Sequence, residues 1–194
     1  MPILGIVASS ISGNLWPSNS YESIATFTAT GGETTASFTS IPSTYSSLQL
    51  RWIAKDTQTT FNGDGNMLLR FNGDTSSNYV NHNLSGNGTS VSSGWSGGLS
   101  GEISLIGADN RSYTGYANMF GAGILDIIDY ASTSKYKTIK SFQGTEANVS
   151  STSFRITLNS GFWLSTSAIN QINLSPQTSY VAGTKIALYG LKGA

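Results

Sequence analysis

The chain has 194 residues, of which ten are basic, ten are acidic and none is cysteine, so its formal net charge is zero. Disulfide frameworks, zinc–cysteine centres and thiol nucleophiles are excluded, and the low basic content argues against nucleic acid or an anionic membrane as a partner. Charged residues make up only 10% of the chain. Such a surface suits a subunit held in an assembly, and equally an extracellular protein.

The first element is an apolar N-terminal segment, which predicts an extended arm over residues 1–20. Its anchoring residues are Pro2, Ile3, Leu4, Ile6, Val7 and Ile11. No positive side chain precedes them, which argues against a signal peptide, and the segment is too short and too broken to insert into a membrane. We expect the arm to dock on a partner subunit or on the protein's own sheet.

Short segments rich in β-branched and aromatic residues alternate with turn-forming clusters through the first half of the chain. The strands predicted there are Tyr21–Thr28, Thr35–Ser40, Ser47–Lys55, Met67–Phe71 and Tyr79–Leu84. In the third of them, Leu48, Leu50 and Trp52 alternate with Gln49 and Arg51. The apolar set is therefore expected to face a core.

The second half begins with Ser85–Gly101, which is nearly all Gly, Ser, Asn and Thr and predicts a long loop. The strands predicted after it are Glu102–Ile106, Met119–Tyr130, Tyr136–Phe142, Ser153–Leu158, Gly161–Leu164, Ile169–Leu174 and Lys185–Tyr189. One turn of helix is predicted at Asp129–Ser134. Many short strands at this spacing predict an all-β fold, a single antiparallel, jelly-roll-like β-sandwich over residues 21–194.

Residues that could catalyse a reaction or bind a metal are few and scattered. His82 is the only histidine, which is too few for a multi-histidine metal site, and no catalytic triad is recognisable. On an extended strand Asp126 and Asp129 point to opposite faces, so they do not form the acid pair of a glycosidase. The Asp64–Asn66 loop has a calcium-like composition but lacks the bidentate acid such loops use. We expect no enzymatic activity, no cofactor and no metal.

Aromatic residues in the polar middle of the chain are the candidates for binding. Tyr79, Trp95, Tyr113 and Tyr116 lie in or near a region rich in Gly, Ser and Asn. An aromatic ring that stacks on a sugar, with polar groups around it, is a common arrangement in glycan recognition. These residues are predicted to contact a glycan or a neighbouring subunit. For Trp95 a further alternative is that it pins its own loop against the sandwich.

Six segments spread over most of the chain carry a resemblance to a known family. They are Met1–Ser10, Tyr21–Thr26, Phe38–Arg51, Leu69–Tyr79, Ile127–Lys137 and Ala182–Gly193. On these segments the chain resembles small virion proteins of tailed phages, which are common in phages of aquatic bacteria. The resemblance does not extend to the middle of the chain, about Asn83–Tyr116, and it supplies no catalytic motif.

The resemblance implies a non-enzymatic structural protein on the surface of a phage particle. A decoration (cement) or short-fibre protein, attached to the capsid through the N-terminal arm, is the expected type. Its partners would be other virion proteins and further copies of itself, with a trimer as the candidate state. The alternative is a tail-associated receptor-binding module that recognises a host surface glycan through Trp95.

Overall fold

The computed structural model describes residues 20–59, 64–95, 98–111, 118–146 and 154–192. Within these ranges the chain forms twelve β-strands and no helix. The strands are β1 (Tyr21–Thr28), β2 (Ala36–Phe38), β3 (Ser47–Asp56), β4 (Asp64–Phe71), β5 (Tyr79–Gly86), β6 (Val91–Trp95), β7 (Ile103–Arg111), β8 (Gly121–Ile128), β9 (Lys137–Thr145), β10 (Arg155–Trp163), β11 (Ile172–Ser175) and β12 (Lys185–Leu191). The predicted all-β fold is confirmed, while the predicted arm lies almost entirely outside the described residues.

The strands form a large and a small sheet, both antiparallel, which are joined where the end of β3 pairs briefly in parallel with β7. The large sheet has the order β1-β12-β3-β8-β9-β10-β5-β6, and the small sheet has the order β2-β11-β4-β7. In each of the pairs β1/β2, β3/β4, β7/β8 and β11/β12, one strand belongs to each sheet. This is the strand order of a jelly roll, a sandwich of two sheets. Beyond β8 the large sheet continues through β9, β10, β5 and β6, which we call the sheet extension.

We call the strands β1, β12, β3 and β8 the jelly-roll half of the large sheet. The hydrophobic core lies between this half and the small sheet. Alternation along each strand turns every second side chain inward. The core residues include Leu48, Leu50, Trp52, Leu125, Ile127, Ile186 and Leu188 from the large sheet, and Phe38, Met67, Leu69, Phe71, Ile103, Leu105, Ile172 and Leu174 from the small sheet. Burying each such side chain contributes roughly 1.5–3 kcal/mol, so this layer stabilises the jelly-roll half.

Strand β3 shows how the sequence pattern places side chains. Leu48, Leu50 and Trp52 are buried, as their alternation predicts. Trp52 also donates its indole N–H to the carbonyl of Ala108 at 2.6 Å. Its ring lies against Gly123 of β8, where a Cβ atom would come within 2.2 Å of Trp52 Cζ2. This close approach requires glycine at the facing position of β8.

A tight turn follows β4 and is fixed to the end of β10. Asn72 and Gly73 have φ angles of 53° and 68°, and the N–H of Asp74 donates to the carbonyl of Phe71 at 2.9 Å, as in a type I′ turn. The carboxylate of Asp74 accepts the indole N–H of Trp163 at 2.7 Å. The turn thereby connects the small sheet to the large one.

Three strand predictions are wrong. The predicted loop Asp64–Asn66 is the first part of β4. The predicted loop Ser85–Gly101 contains β6, because Val91–Trp95 pairs with β5 despite its serines and glycine. β10 is one continuous strand between β9 and β5, where the sequence predicts a break before Gly161. This glycine allows close packing of the backbone, since a Cβ there would lie 2.6 Å from the carbonyl oxygen of Val80.

Two further local predictions are corrected by backbone geometry. The helical turn predicted at Asp129–Ser134 does not form, because Asp129 has a φ of 57°, outside the right-handed helical range. Its carbonyl instead accepts the N–H of Ser132 in a single turn. In β1 a β-bulge shifts the register, so that Ile24 and Phe27, expected on opposite faces, both pack against the core.

Candidate functional site

Part of the sheet extension reverses the usual distribution of polar and apolar side chains. The buried polar residues are Ser141, Gln143 and Thr145 of β9, Thr157 and Asn159 of β10, and Asn81 and Ser85 of β5. The exposed large apolar residues that alternate with them are Phe142, Ile156, Leu158 and Leu84. An antiparallel sheet with one solvated side normally places its apolar residues inward. At these positions the outward side of the extension therefore has the composition of a buried surface.

The inward polar side chains form hydrogen bonds below the extension. Ser85 Oγ and Thr157 Oγ1 lie 3.0 Å apart, and Gln143 Nε2 donates to the carbonyl of Ile106 in β7 at 3.1 Å. Such bonds contribute only about 0.5–1.5 kcal/mol each, less than the burial of an apolar side chain. The extension therefore gains little hydrophobic stabilisation from these inward positions.

Part of the outward side of the extension and of β8 is a continuous apolar surface, which we call the apolar face. Its residues are Ile124 of β8, Phe142 of β9, Ile156 and Leu158 of β10, Leu84 of β5 and Val91 of β6. Four of them lie in one row across the sheet, in which each residue is the cross-strand partner of the next: Ile124, Phe142, Leu158 and Leu84. Val91 is 75% exposed, Ile156 58% and Phe142 50%. The face thus presents large apolar side chains to solvent.

Two open depressions flank Ile156 on the apolar face. One, of about 440 Å³, is lined in part by Ala122 and Gly144, and the other, of about 350 Å³, is lined in part by Gly86. Gly144 and Gly86 are the direct cross-strand partners of Ile156. Because neither has a side chain, a hollow remains on each side of the Ile156 side chain.

A polar row borders the apolar face along one side. Asp126 of β8 and Lys140 of β9 are cross-strand partners in this row. Asp126 accepts a hydrogen bond from Gln49 Nε2 at 2.7 Å, and Gln49 in turn accepts one from Arg51 Nε at 2.7 Å. Ionisable groups thus lie at the border, whereas the apolar face itself has none.

Trp95 and His82 form an exposed aromatic pair in the same polar row. They are cross-strand partners, and their ring centroids lie 6.0 Å apart with planes 14° from parallel. A depression of about 380 Å³ beside them is lined in part by His82, Lys140 and Ser160. Trp95 is 62% exposed, so it does not pin its own segment to the sandwich. Flat rings beside hydroxyl and ammonium groups could bind a sugar.

Tyr79 lies in the core, which corrects its prediction as a contact residue. Its side chain is fully buried, its ring stacks with that of Trp163 at a centroid distance of 6.2 Å, and its hydroxyl accepts the N–H of Phe71 at 3.0 Å. Burial raises the pKa of Tyr79 to about 12. Tyr79 is the first residue of β5 and faces inward, which the polar residues around it in the sequence do not indicate.

Tyr113 and Tyr116 lie outside the described residues, as do the six anchoring residues of the arm between residues 2 and 11. Their predicted roles remain predictions. Of the two aromatic candidates that the structure describes, Tyr79 is buried and Trp95 lies on the surface.

Described carboxylates form ion pairs with neighbouring side chains. Glu102 is paired with Arg70, Asp129 is paired with Lys135 at 3.2 Å, and Glu22 is paired with Lys192 at 2.7 Å. Across the described ranges, no three His, Asp or Glu side chains lie close enough together to hold a metal ion.

None of the six residues of the apolar face is among the predicted sites. The signal in the sequence is the alternation in Ser141-Phe142-Gln143 and Thr157-Leu158-Asn159, where single apolar residues stand between polar ones. Alternation shows which residues share a side of a strand, but it does not show which side is inward. The tertiary structure was needed to reveal the reversal.

Among the residues that the structure describes, no helix is long and apolar enough to cross a membrane. No protein-family model, curated protein or solved structure matches the chain. A function must therefore be inferred from the sequence and from the surface geometry.

Proposed function

We propose that the chain is a non-enzymatic structural protein of a bacteriophage virion. It is a decoration (cement) or short-fibre protein on the particle surface, attached to the capsid through its N-terminal arm. The observation that carries this proposal is the apolar face. A large contiguous apolar patch on a soluble protein often marks an interaction site, so the face supports a protein that works within an assembly.

Composition and fold support the same role. A net charge of zero gives neighbouring subunits little mutual repulsion. Jelly-roll sandwiches build many viral capsid proteins, although this is an analogy at the level of the fold. The resemblance of six sequence segments to tailed-phage virion proteins supports the choice of particle.

The arm is proposed as the attachment to the particle. An extended segment can add a strand to a neighbouring sheet, with main-chain hydrogen bonds giving affinity and alternate side chains filling pockets. The test is to replace the chain in the phage by one lacking residues 2–13 and to measure its copy number on purified particles by mass spectrometry. Substituting Ser9→Ala and Ser10→Ala leaves the apolar residues of the arm intact and serves as the control.

We expect the full chain and the serine control to be present on particles, and the truncated chain to be lost from them. Normal occupancy by the truncated chain would show that the arm is not the anchor. Absence of the full chain from purified particles would contradict the virion role itself.

A second candidate function is recognition of a host surface glycan by a tail-associated module, and the exposed Trp95–His82 pair favours it. Loss of a stacking ring worth about 0.5–1.5 kcal/mol should weaken binding by roughly two- to tenfold. A glycan array and a host-cell binding assay with Trp95→Ala test this role. Tyr136→Ala removes another exposed aromatic side chain, in the loop before β9, and is the control. Equal binding by the wild type and Trp95→Ala would exclude the role for Trp95.

A further inference from the structure

The apolar face exposes enough surface to form the centre of a protein interface. Five of its side chains, those of Val91, Ile156, Phe142, Leu158 and Leu84, are about half exposed or more. At the usual size of such side chains they present on the order of 500 Å² of apolar surface, near the upper end for the largest patch on a monomeric protein. A stable interface buries about 800 Å² on each partner, so the face and its polar border match one side of such an interface.

The relief of the face is self-complementary. Ile156 protrudes between the hollows at Gly144 and Gly86, and the next row carries the side chains of Phe142 and Leu158. One surface therefore offers both protruding side chains and hollows that could receive them. Two identical copies placed face to face could insert the side chains of each into the hollows of the other, as the inner faces of a β-sandwich interdigitate.

The charge distribution also fits an identical partner. The six residues of the apolar face include no ionisable group, and the bordering pair Asp126 and Lys140 carries opposite charges side by side. A partner recruited by electrostatic attraction would be matched by a border of one sign. Two copies related by a two-fold axis that passes between Asp126 and Lys140 would set each of these charges against an opposite one.

Because of the reversed alternation, association of two copies would stabilise the strands of the extension. The inward side of the extension is polar at Ser141, Gln143, Thr157 and Asn159, so the outward apolar residues beside them gain hydrophobic stabilisation only when the outward side is covered. Association of two faces would bury both sets at once. It would therefore stabilise β9, β10 and β5 in both copies.

We propose that the apolar face binds the apolar face of a second copy of this chain. The inference rests on the proposed role as an assembly subunit, and it names the partner and the surface. Sheets that pack face to face lie about 10 Å apart, which places the Leu158 side chains of both copies in the contact layer.

The first test measures the mass of the purified full chain by light scattering and sedimentation over a series of concentrations. We expect a dimer, because a face that packs on the same face of a second copy makes a two-fold symmetric contact. Leu158→Asp places a charge in the contact layer and should raise the dissociation constant at least about a hundredfold. Tyr136→Asp introduces the same charge at a similarly exposed aromatic position outside the face and should leave the mass unchanged.

The second test leaves the interface almost intact. Because the chain has no cysteine, Leu158→Cys introduces a single thiol, which a bismaleimide with a span of about 10 Å should join to the same thiol in a second copy. Tyr136→Cys should give no covalent dimer. This measurement remains informative if Leu158→Asp fails to fold.

A full chain that is monomeric at every concentration would overturn the proposal, and so would an oligomer that Leu158→Asp leaves unchanged or that Leu158→Cys does not cross-link. The chain's own N-terminal arm is the other segment that could cover the apolar face. If removal of residues 2–13 abolished the oligomer, with Leu158→Cys no longer cross-linking, the contact would belong to the arm and the proposal would fail. An oligomer that is absent from purified phage particles would instead contradict the virion role and leave this interface standing.

Discussion

Trp163 in β10 donates its indole N–H to the carboxylate of Asp74 at 2.7 Å, which connects the large sheet to the turn after β4. Asp74 also accepts from Asn78 Nδ2 at 2.9 Å and from the backbone N–H of Ser76 at 2.8 Å. Hydrogen bonds to an ionised acceptor are stronger than those between neutral groups. One carboxylate thus holds the turn, the segment before β5 and the end of β10 together.

Asp74→Asn should lower the free energy of unfolding by about 1–2 kcal/mol at neutral pH, because it replaces charge-assisted hydrogen bonds by neutral ones. Urea unfolding measures the change, and near-UV circular dichroism reports on the surroundings of Trp163. An unchanged unfolding midpoint together with an unchanged near-UV spectrum would show that the Trp163–Asp74 contact does not stabilise the fold.

The same carboxylate predicts how stability depends on pH. Burial raises the pKa of Asp74, but hydrogen bonds from Asn78, Trp163 and Ser76 outweigh burial and lower the pKa from 3.8 to about 2. Because the folded pKa lies below the unfolded one, the stabilisation is fully present above pH 3.8 and is lost as the pH falls towards 2. The free energy of unfolding should decrease across this window, and less steeply for Asp74→Asn.

Glu33 provides a matched control for this pH dependence. The pKa of Glu33 is lowered to about 2, mainly because its carboxylate accepts hydrogen bonds from the hydroxyl and the backbone N–H of Thr30. Glu33 titrates in the same window, but its contacts with Thr30 and Gly31 stay within one exposed turn. Glu33→Gln should therefore leave the near-UV signal unchanged. Equal effects of both variants on that signal would contradict the role given to Trp163.

A second prediction concerns the close packing of Gly123 on Trp52. Gly123→Ala places a Cβ within 2.2 Å of Trp52 Cζ2 and within 2.7 Å of Gln143 Cβ, and overpacking of this kind typically costs about 1–3 kcal/mol. Trp52→Phe removes the outer part of the indole. In that background Gly123→Ala should cost less, and a double-mutant cycle of unfolding free energies measures the difference. Strictly additive effects would mean that Trp52 is not what excludes a side chain at position 123.

A third prediction concerns Lys137. Its fully buried side chain connects the start of β9 to the segment after β10. Its Nζ donates to the carbonyls of Ser132 at 2.6 Å, Lys135 at 2.7 Å and Thr166 at 3.1 Å. Lys137→Met leaves these carbonyls without their donor and should cost about 2–3 kcal/mol of unfolding free energy.

Lys135→Met is the control for Lys137→Met. It removes an ion pair with Asp129 whose lysine side chain is largely exposed, and such pairs contribute at most about 1 kcal/mol. If the two variants lowered the unfolding midpoint equally, the buried position of Lys137 would have no special role.

Much of the jelly-roll half could be predicted from the sequence. The alternation in Leu48, Leu50 and Trp52 identified the inward side of β3, and the Lys185–Tyr189 segment was recognised as a strand that the structure places between β1 and β3. β6 was missed because strand propensity is weak in a Ser- and Gly-rich segment, where pairing with β5 decides the outcome. Local composition does not contain that information.

The candidate site was less predictable than the fold. A large ring in a polar segment is conspicuous, so the sequence predicts both Trp95 and Tyr79 as contact residues. Trp95 is exposed, and its contact role stays a prediction, whereas Tyr79 lies in the core. The apolar face combines Phe142, Leu158 and Leu84 from strands that are distant in sequence. Its recognition depends on strand order and on which side is inward, and both are set by tertiary pairing.

The hollow at Gly86 allows a separate test of how two copies would fit. A Cβ at Gly86 meets nothing within 4 Å, so Gly86→Leu should fold without a clash while its side chain fills the hollow beside Ile156. If a partner's side chain enters this hollow, filling it should raise the dissociation constant about tenfold or more, even though the surface becomes more apolar.

Ser93→Leu is the matched control, because Ser93 is the exposed cross-strand partner of Leu84 on β6 and lies outside the hollow. The added side chain extends the apolar row without filling a depression, so association should be unchanged or tighter. Sedimentation of both variants over the same concentrations separates fit from hydrophobicity. If Gly86→Leu associated as tightly as Ser93→Leu, the two faces would be held by apolar area alone, without insertion of Ile156 or its neighbours into the hollows.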